Sequence, residues 1–125
     1  MEFDFNSEKP IFQQVAEGIE DAILSGAFPE ESQIPSITEF SVQYKINPAT
    51  ALKGINLLVD AGVVYKKRGV GMFVAQGAEK ILGKTRREQF FDHYISTMLA
   101  EARRLGITEQ ELAAMIKKGF TEGKK

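Results

Sequence analysis

The sequence predicts a mainly α-helical chain with one small β hairpin. Three observations point there. Apolar residues recur at helical spacing over residues 10–25 and again beyond residue 79. Two capping boxes, Ser36-Ile37-Thr38-Glu39 and Thr108-Glu109-Gln110-Glu111, mark helix starts. Two short β-prone runs, residues 63–66 and 72–75, flank the glycine-bearing stretch Lys67-Arg68-Gly69-Val70-Gly71.

The first helix is expected over 10–25. Phe12, Val15, Ala16, Ile19, Ile23 and Leu24 form its apolar stripe, Pro10 suits its first position and Gly26 its stop. A short second helix starts at the Ser36 cap and ends near Gln43, with Ile37, Phe40 and Val42 as its apolar contacts. Asn47 is a good N-cap and Pro48 a good first residue for a third helix running to about Ala61. Ala51, Ile55, Leu58 and Val59 mark its buried side, while Thr50, Lys53 and Asn56 look outward. Gly54 weakens this helix but permits a close approach by something else. The hairpin follows, with basic shoulders at Lys66, Lys67 and Arg68. From Glu79 a long helix carries Phe91, Tyr94, Ile95, Met98, Leu99, Ala102 and Leu105 and stops at Gly106. A short last helix carries Leu112, Ala113, Met115 and Ile116, and Thr121 to Lys125 reads as a frayed tail. The domain boundary is expected after residue 77, with residues 1–77 and 78–125 as the two parts.

The 125-residue chain contains no cysteine, which excludes disulfides and thiolate metal sites, and one histidine, His93. No second strong metal ligand accompanies that histidine. No nucleophile–base pair or phosphate-cradling loop can be drawn, so neither catalysis nor a cofactor is expected. The acidic start, Met1-Glu2-Phe3-Asp4-Phe5, has no signal-peptide pattern, and no apolar run approaches a membrane span. A cytoplasmic protein without membrane contact is the expectation.

Net charge is −1, but it is unevenly placed. Residues 1–32 carry eight acids against one base, whereas residues 33–87 carry nine bases against three acids. A basic middle third is what a polyanion would attract, while the acidic remainder limits indiscriminate adhesion.

Helix, short helix, tight turn, helix and basic hairpin make up a winged helix-turn-helix. In that arrangement the second helix braces the third, whose N-terminal residues enter the major groove, and the wing lies beside the duplex. Ile34-Pro35-Ser36, Asn47-Pro48-Ala49-Thr50, Ala61-Gly62-Val63-Val64 and Arg68-Gly69-Val70-Gly71-Met72-Phe73-Val74 stand in that order. On these motifs residues 10–75 resemble the GntR family of bacterial transcription regulators, and Asn-Pro-x-Thr resembles its YtrA-type subfamily. The resemblance implies a DNA-binding regulator, most plausibly a repressor, with a short two-helix tail for dimerisation in place of a large effector domain. Thr38 and the pair Leu52-Lys53 stand where the family commonly has arginine, which implies a different or weaker operator preference.

The expected DNA contacts are Ser36, Thr38, Lys45, Asn47, Pro48, Ala49, Thr50, Lys53, Lys67, Arg68, Gly69, Val70 and Gly71. Lys53, Thr50 and Asn47 are the expected base-facing groups. Phe90, Phe91, Tyr94, Ile95, Met98, Leu99, Ala102, Leu112, Met115 and Ile116 are the expected homodimer interface, because two short helices cannot cover such a stripe alone. A twofold pair would suit a pseudo-palindromic operator. The alternative is a winged-helix docking module that has lost sequence-specific DNA binding. No effector is specified by the residues.

Overall fold

The computed structural model describes residues 1–123. Its contacts divide the chain into two compact units, Met1–Thr85 and Arg86–Lys125.

In the first unit, α1 spans Ile11–Leu24, with Pro10 just outside as its N-cap rather than at its first position. Val15, Ala16, Ile19 and Ile23 are its buried residues, at the spacing the sequence predicts. α2 spans Ile37–Tyr44. The Glu39 N–H donates to Ser36 Oγ at 3.1 Å and the Ser36 N–H donates to Glu39 Oε1 at 3.1 Å, so the capping box is complete. α2 buries Phe40, with Ile37 and Tyr44 packed against the core. These three lie at i, i+3 and i+7, one face of a helix. Val42 lies off that face and is 74% exposed, so it supplies none of the expected core contact. Tyr44 takes that part, 5.0 Å from the Phe40 ring and 5.3 Å from Phe3.

α3 spans Pro48–Asp60, with Asn47 as N-cap accepting from the Ala49 N–H at 2.8 Å. Ala51, Gly54, Ile55 and Leu58 are buried against the rest of the unit, and α1 and α3 pack closely together. The expected close approach at Gly54 is to α1. A Cβ there would lie 2.5 Å from the Phe12 carbonyl oxygen and 2.9 Å from Val15 Cβ.

β1 (Val64–Lys67) and β2 (Gly71–Val74) pair antiparallel, Val64 with Val74 and Lys67 with Gly71. This ladder is shifted one residue from the predicted runs. The outlying residues still bond, since the Ala75 N–H donates to the Val63 oxygen at 2.9 Å. The residues leading into α2 add a third arm that the sequence does not announce. Gln33 bridges Phe73, and the Glu31 and Ile34 N–H groups donate to the Val74 and Met72 oxygens. Glu30 then reaches α4 (Ala78–Phe90): its carboxylate accepts from the N–H of Gly77 at 2.9 Å and of Glu79 at 3.2 Å. Those two bonds hold Glu30 below its ordinary pKa, the Gly77 bond first.

The first turns of α4 belong to this unit. Ala78 and Leu82 sit in its core with Ile19, Ile34, Val63 and Val74. The unit therefore extends to Thr85, beyond the position after residue 77 expected for the boundary.

In the second unit, a π-helical turn (Phe91–Ile95) precedes α5 (Ser96–Arg104), a local irregularity that apolar spacing does not reveal. The Ile107 N–H donates to the Ala102 oxygen at 2.9 Å as the chain turns at Gly106. α6 spans Glu109–Glu122 on a complete Thr108–Glu111 capping box, so it is longer than expected and Thr121 and Glu122 are helical. Gly123 follows as the C-cap of α6, and the last two residues of the anticipated tail, Lys124 and Lys125, lie outside the described residues. Ala102 is buried within the single chain at 5% exposure and presents almost no surface to a partner, unlike the stripe whose spacing it shares. Ile95, Met98, Leu99 and Leu112 are half-buried. Phe90, Phe91, Tyr94, Met115 and Ile116 are exposed, as is Phe120 at 76%, which lies outside the predicted stripe.

Candidate nucleic-acid interface

The turn joining α2 to α3 is two residues long, Lys45-Ile46, between the last residue of α2 and the Asn47 cap. So short a turn needs a left-handed residue, and Lys45 takes that role at φ 54°. Glycine would hold this conformation without the Cβ penalty. Ile46 is buried beneath the turn, and Ser41 Oγ donates to its carbonyl oxygen at 2.5 Å. Core burial, a side-chain bond and a left-handed lysine thus set the angle at which α3 leaves α2.

The buried face of α3 fixes which residues look outward. Ala49, Leu52, Lys53, Asn56, Leu57 and Asp60 line one shallow, open groove opposite Ala51, Ile55 and Leu58. Asn47, Pro48 and Ala49 are exposed at its N-terminal end. Thr50 is only half-buried rather than fully outward, because it flanks the face that packs on α1. The Lys53 ammonium lies over the Phe12 ring, 4.1 Å from its centroid. A cation–π contact of this kind at an exposed site is worth about 0.5–1 kcal/mol. The sequence marks Phe12 only as a core residue; its ring steers this lysine, and a contact across 41 positions leaves no local signal.

Ser36 uses its hydroxyl oxygen as an acceptor for the cap, leaving its own O–H to donate elsewhere. Thr38, in the first turn of α2, is exposed, as is Glu39 beside it. The Ser36 bonds also hold the Glu39 carboxyl below its ordinary value, the backbone bond first.

The hairpin tip is Arg68-Gly69-Val70, closed by the Val70 N–H donating to the Lys67 oxygen at 2.9 Å. Gly69 at φ 76° and Gly71 at φ 148° occupy backbone regions that side-chain-bearing residues avoid, so the turn depends on both. Lys67, Arg68, Gly69 and Val70 are exposed, and Gly71 is half-buried. The Lys67 ammonium lies 5.4 Å from the Phe73 centroid, and Phe73 stacks on Tyr65 at 5.8 Å. Gln33 is a further functional residue without a sequence signal. Its Nε2 donates to the Val70 oxygen at 3.1 Å, and a Cβ on Gly71 would collide with that same amide. The wing tip is therefore tied to the arm that leads into α2.

The expected contacts thus fall on three pieces of one compact unit: the start of α2, the turn with the first half of α3, and the hairpin tip. Among the described residues no group of three or more acidic, histidine or cysteine side chains is placed to hold a metal. Among them, too, no helix is long and apolar enough to cross a membrane.

Residues 11–74, from the start of α1 to the end of β2, match the family described as bacterial regulatory proteins, gntR family. The chain belongs to the GntR family. Two relatives from Bacillus subtilis match it almost end to end. One is the uncharacterized HTH-type transcriptional regulator YhcF, 29% identical over 123 residues, covering 98% of this chain and 99% of that protein. The other is the HTH-type transcriptional repressor YtrA, 22% identical over 117 residues, covering 94% and 89%. Its likeness agrees with the YtrA-type reading of the Asn47-Pro48-Ala49-Thr50 motif. Among solved structures, a regulator described as of the GntR family from Bacteroides thetaiotaomicron is 34% identical, with a TM-score of 0.72 over 90% of this chain and 98% of its own. The AraR DNA-binding domain, solved in complex with operator ORR3, is 32% identical with a TM-score of 0.52, over 60% of this chain and 93% of its own. This GntR chain is a DNA-binding transcription regulator on a winged helix-turn-helix, and its family is one of regulators rather than enzymes.

Proposed function

We propose that this GntR chain is a cytoplasmic repressor that binds a pseudo-palindromic operator as a homodimer. The first unit grips one half-site and the second unit joins two copies. The observation that carries the DNA-binding mode is the outward presentation of Asn47, Pro48, Ala49 and Lys53 at the start of α3, in one unit with an exposed basic hairpin. α3 enters the major groove by its N-terminal half, where the free amides and helix dipole favour phosphate. Lys45, Lys67 and Arg68 neutralise backbone phosphates, with Gly69, Val70 and Gly71 close to the groove. Ser36 and Thr38 offer hydroxyls to the phosphates, and Thr50, flanking the groove face, adds one at its edge. The operator-bound AraR domain supports this mode through its shared fold.

Dimerisation is supported by the uncovered apolar side chains of the second unit. Phe90, Phe91 and Tyr94 are each more than half exposed, with Met115 and Ile116 also open to solvent. A single small protein rarely leaves such a set uncovered. A second copy covers it, with Ile95, Met98, Leu99 and Leu112 beneath.

The test is an electrophoretic shift with DNA from upstream of the chain's own gene, beside sedimentation. Specific retardation that survives excess unrelated duplex is expected, from a dimer. Sequence-independent retardation at every salt concentration would refute the operator reading. Met98→Asp with Leu99→Asp places charge in the apolar interface and is expected to give a monomer; a persisting dimer would locate the interface elsewhere.

A further inference from the structure

The reading face of α3 is poor in groups that recognise guanine. Bidentate guanine contact needs arginine or lysine, and the outward face of α3 holds no arginine. Its lysine, Lys53, is drawn to the Phe12 ring at the edge of that face. The Asn47 Oδ1 is committed to the Ala49 N–H. What remains on this face in the first three turns is the Ala49 methyl, the Leu52 isobutyl group and, further from the N-terminus, the Asn56 amide and the Leu57 isobutyl group. Leu52 is 41% exposed, although Ile55 and Leu58 on the same helix are fully covered. Asp60, at the far end of the groove, repels phosphate and keeps the last turn of α3 off the duplex.

An apolar side chain pressed against a base edge strips water from donors and acceptors without replacing their bonds. Only the C5 methyl of thymine turns that contact into a gain, because it too leaves water. From Leu52 and Ala49 we infer that this protein reads thymine methyl groups in the major groove of each half-site, with the methyl seated against Leu52. Asn56 lies one turn further along the same groove, where an amide pairs with adenine N6 and N7. The recognised element is then a T·A step rather than a guanine. This inference rests on the proposed entry of α3 into the major groove.

The experiment starts with selection of a preferred duplex from random sequence on the purified full chain. Each thymine of that duplex is then replaced singly by deoxyuridine, which removes the methyl and keeps the pairing. Binding is followed by fluorescence anisotropy at one fixed salt concentration. One or two positions per half-site are expected to weaken binding about four-fold each, the ratio that burial of one methyl group gives at 25 °C. Leu52→Ala, at an exposed site, is expected to keep its melting temperature and to erase that sensitivity at the position it covers. Specific binding with no uracil-sensitive position overturns the inference and leaves the operator reading standing. Sensitivity unchanged in Leu52→Ala overturns the assignment to this residue. Selection that enriches no sequence overturns both.

Discussion

Gly54→Ala tests the packing that aims α3. In an open helix interior, replacing glycine by alanine stabilises by about 1 kcal/mol. At Gly54 the sign reverses. The new methyl would stand 2.5 Å from the Phe12 carbonyl oxygen and 2.9 Å from both Val15 Cβ and Cγ1. The first obstacle is α1 backbone, which has no rotamer by which to move aside, so α1 and α3 must separate. Overpacking of this kind costs about 1–3 kcal/mol, and a backbone obstacle places it near the upper end. Set against the helix-propensity gain, a net loss of about 2 kcal/mol follows. For a unit of this size that is a melting temperature about 8–16 °C lower. Gly83→Ala is the matched control, since Gly83 lies inside α4 with nothing within 4 Å of its would-be Cβ. It is expected to gain about 0.5–1 kcal/mol. Urea titration and thermal melting of both variants, followed by circular dichroism, read the difference. A Gly54→Ala protein as stable as the parent would refute the claim that α1 and α3 touch at this glycine. Because Phe12 also carries the Lys53 ammonium, the same variant is expected to weaken DNA binding, which the control leaves unchanged.

Lys45→Gly is expected to hold or raise the melting temperature, since glycine accepts φ 54° freely, while weakening DNA binding through removal of the charge; a drop in stability, or unchanged affinity, would contradict it. Lys53→Ala combined with Arg68→Ala is expected to flatten the plot of log affinity against log salt by about 1.8, roughly 0.9 for each phosphate no longer neutralised; an unchanged slope in anisotropy titrations would remove both side chains from the DNA-binding surface. Glu30 titrates below its ordinary value in the folded chain because Gly77 and Glu79 donate to it. Its contribution is therefore complete above the ordinary carboxylate pKa and is lost as pH falls through the lowered folded value. Urea midpoints measured from neutral pH downward should fall more steeply for the parent than for Glu30→Gln, and parallel curves would rule the cap out.

Much of the fold was legible because it rests on local rules. Ser36 with Glu39, Asn47 with Ala49, and Thr108 with Glu111 start helices by bonds that span two or three residues, so the sequence displays both partners side by side. The stripe Val15, Ala16, Ile19, Ile23 declares its buried face by spacing alone. The misreadings share a cause. Val42 and Tyr44 lie about 200° apart around a two-turn helix, too short for apolar character alone to say which side meets the core. Ala102 joins an apolar stripe by spacing, yet it is covered within its own unit.

By itself the sequence determined the order of the elements, the caps of α2, α3 and α6, the turn glycines of the hairpin and the concentration of basic charge beside it. These depend on bonds and periodicities confined to a few neighbouring residues. Only the tertiary structure decided that Gly54 admits the backbone of α1, that Phe12 holds the Lys53 ammonium, that Gln33 ties down the wing tip and that Glu30 caps α4. Each joins residues 37 to 49 positions apart. Such pairings arise from how apolar faces stack and exclude water, and that is a property of the assembled core rather than of any local run of residues.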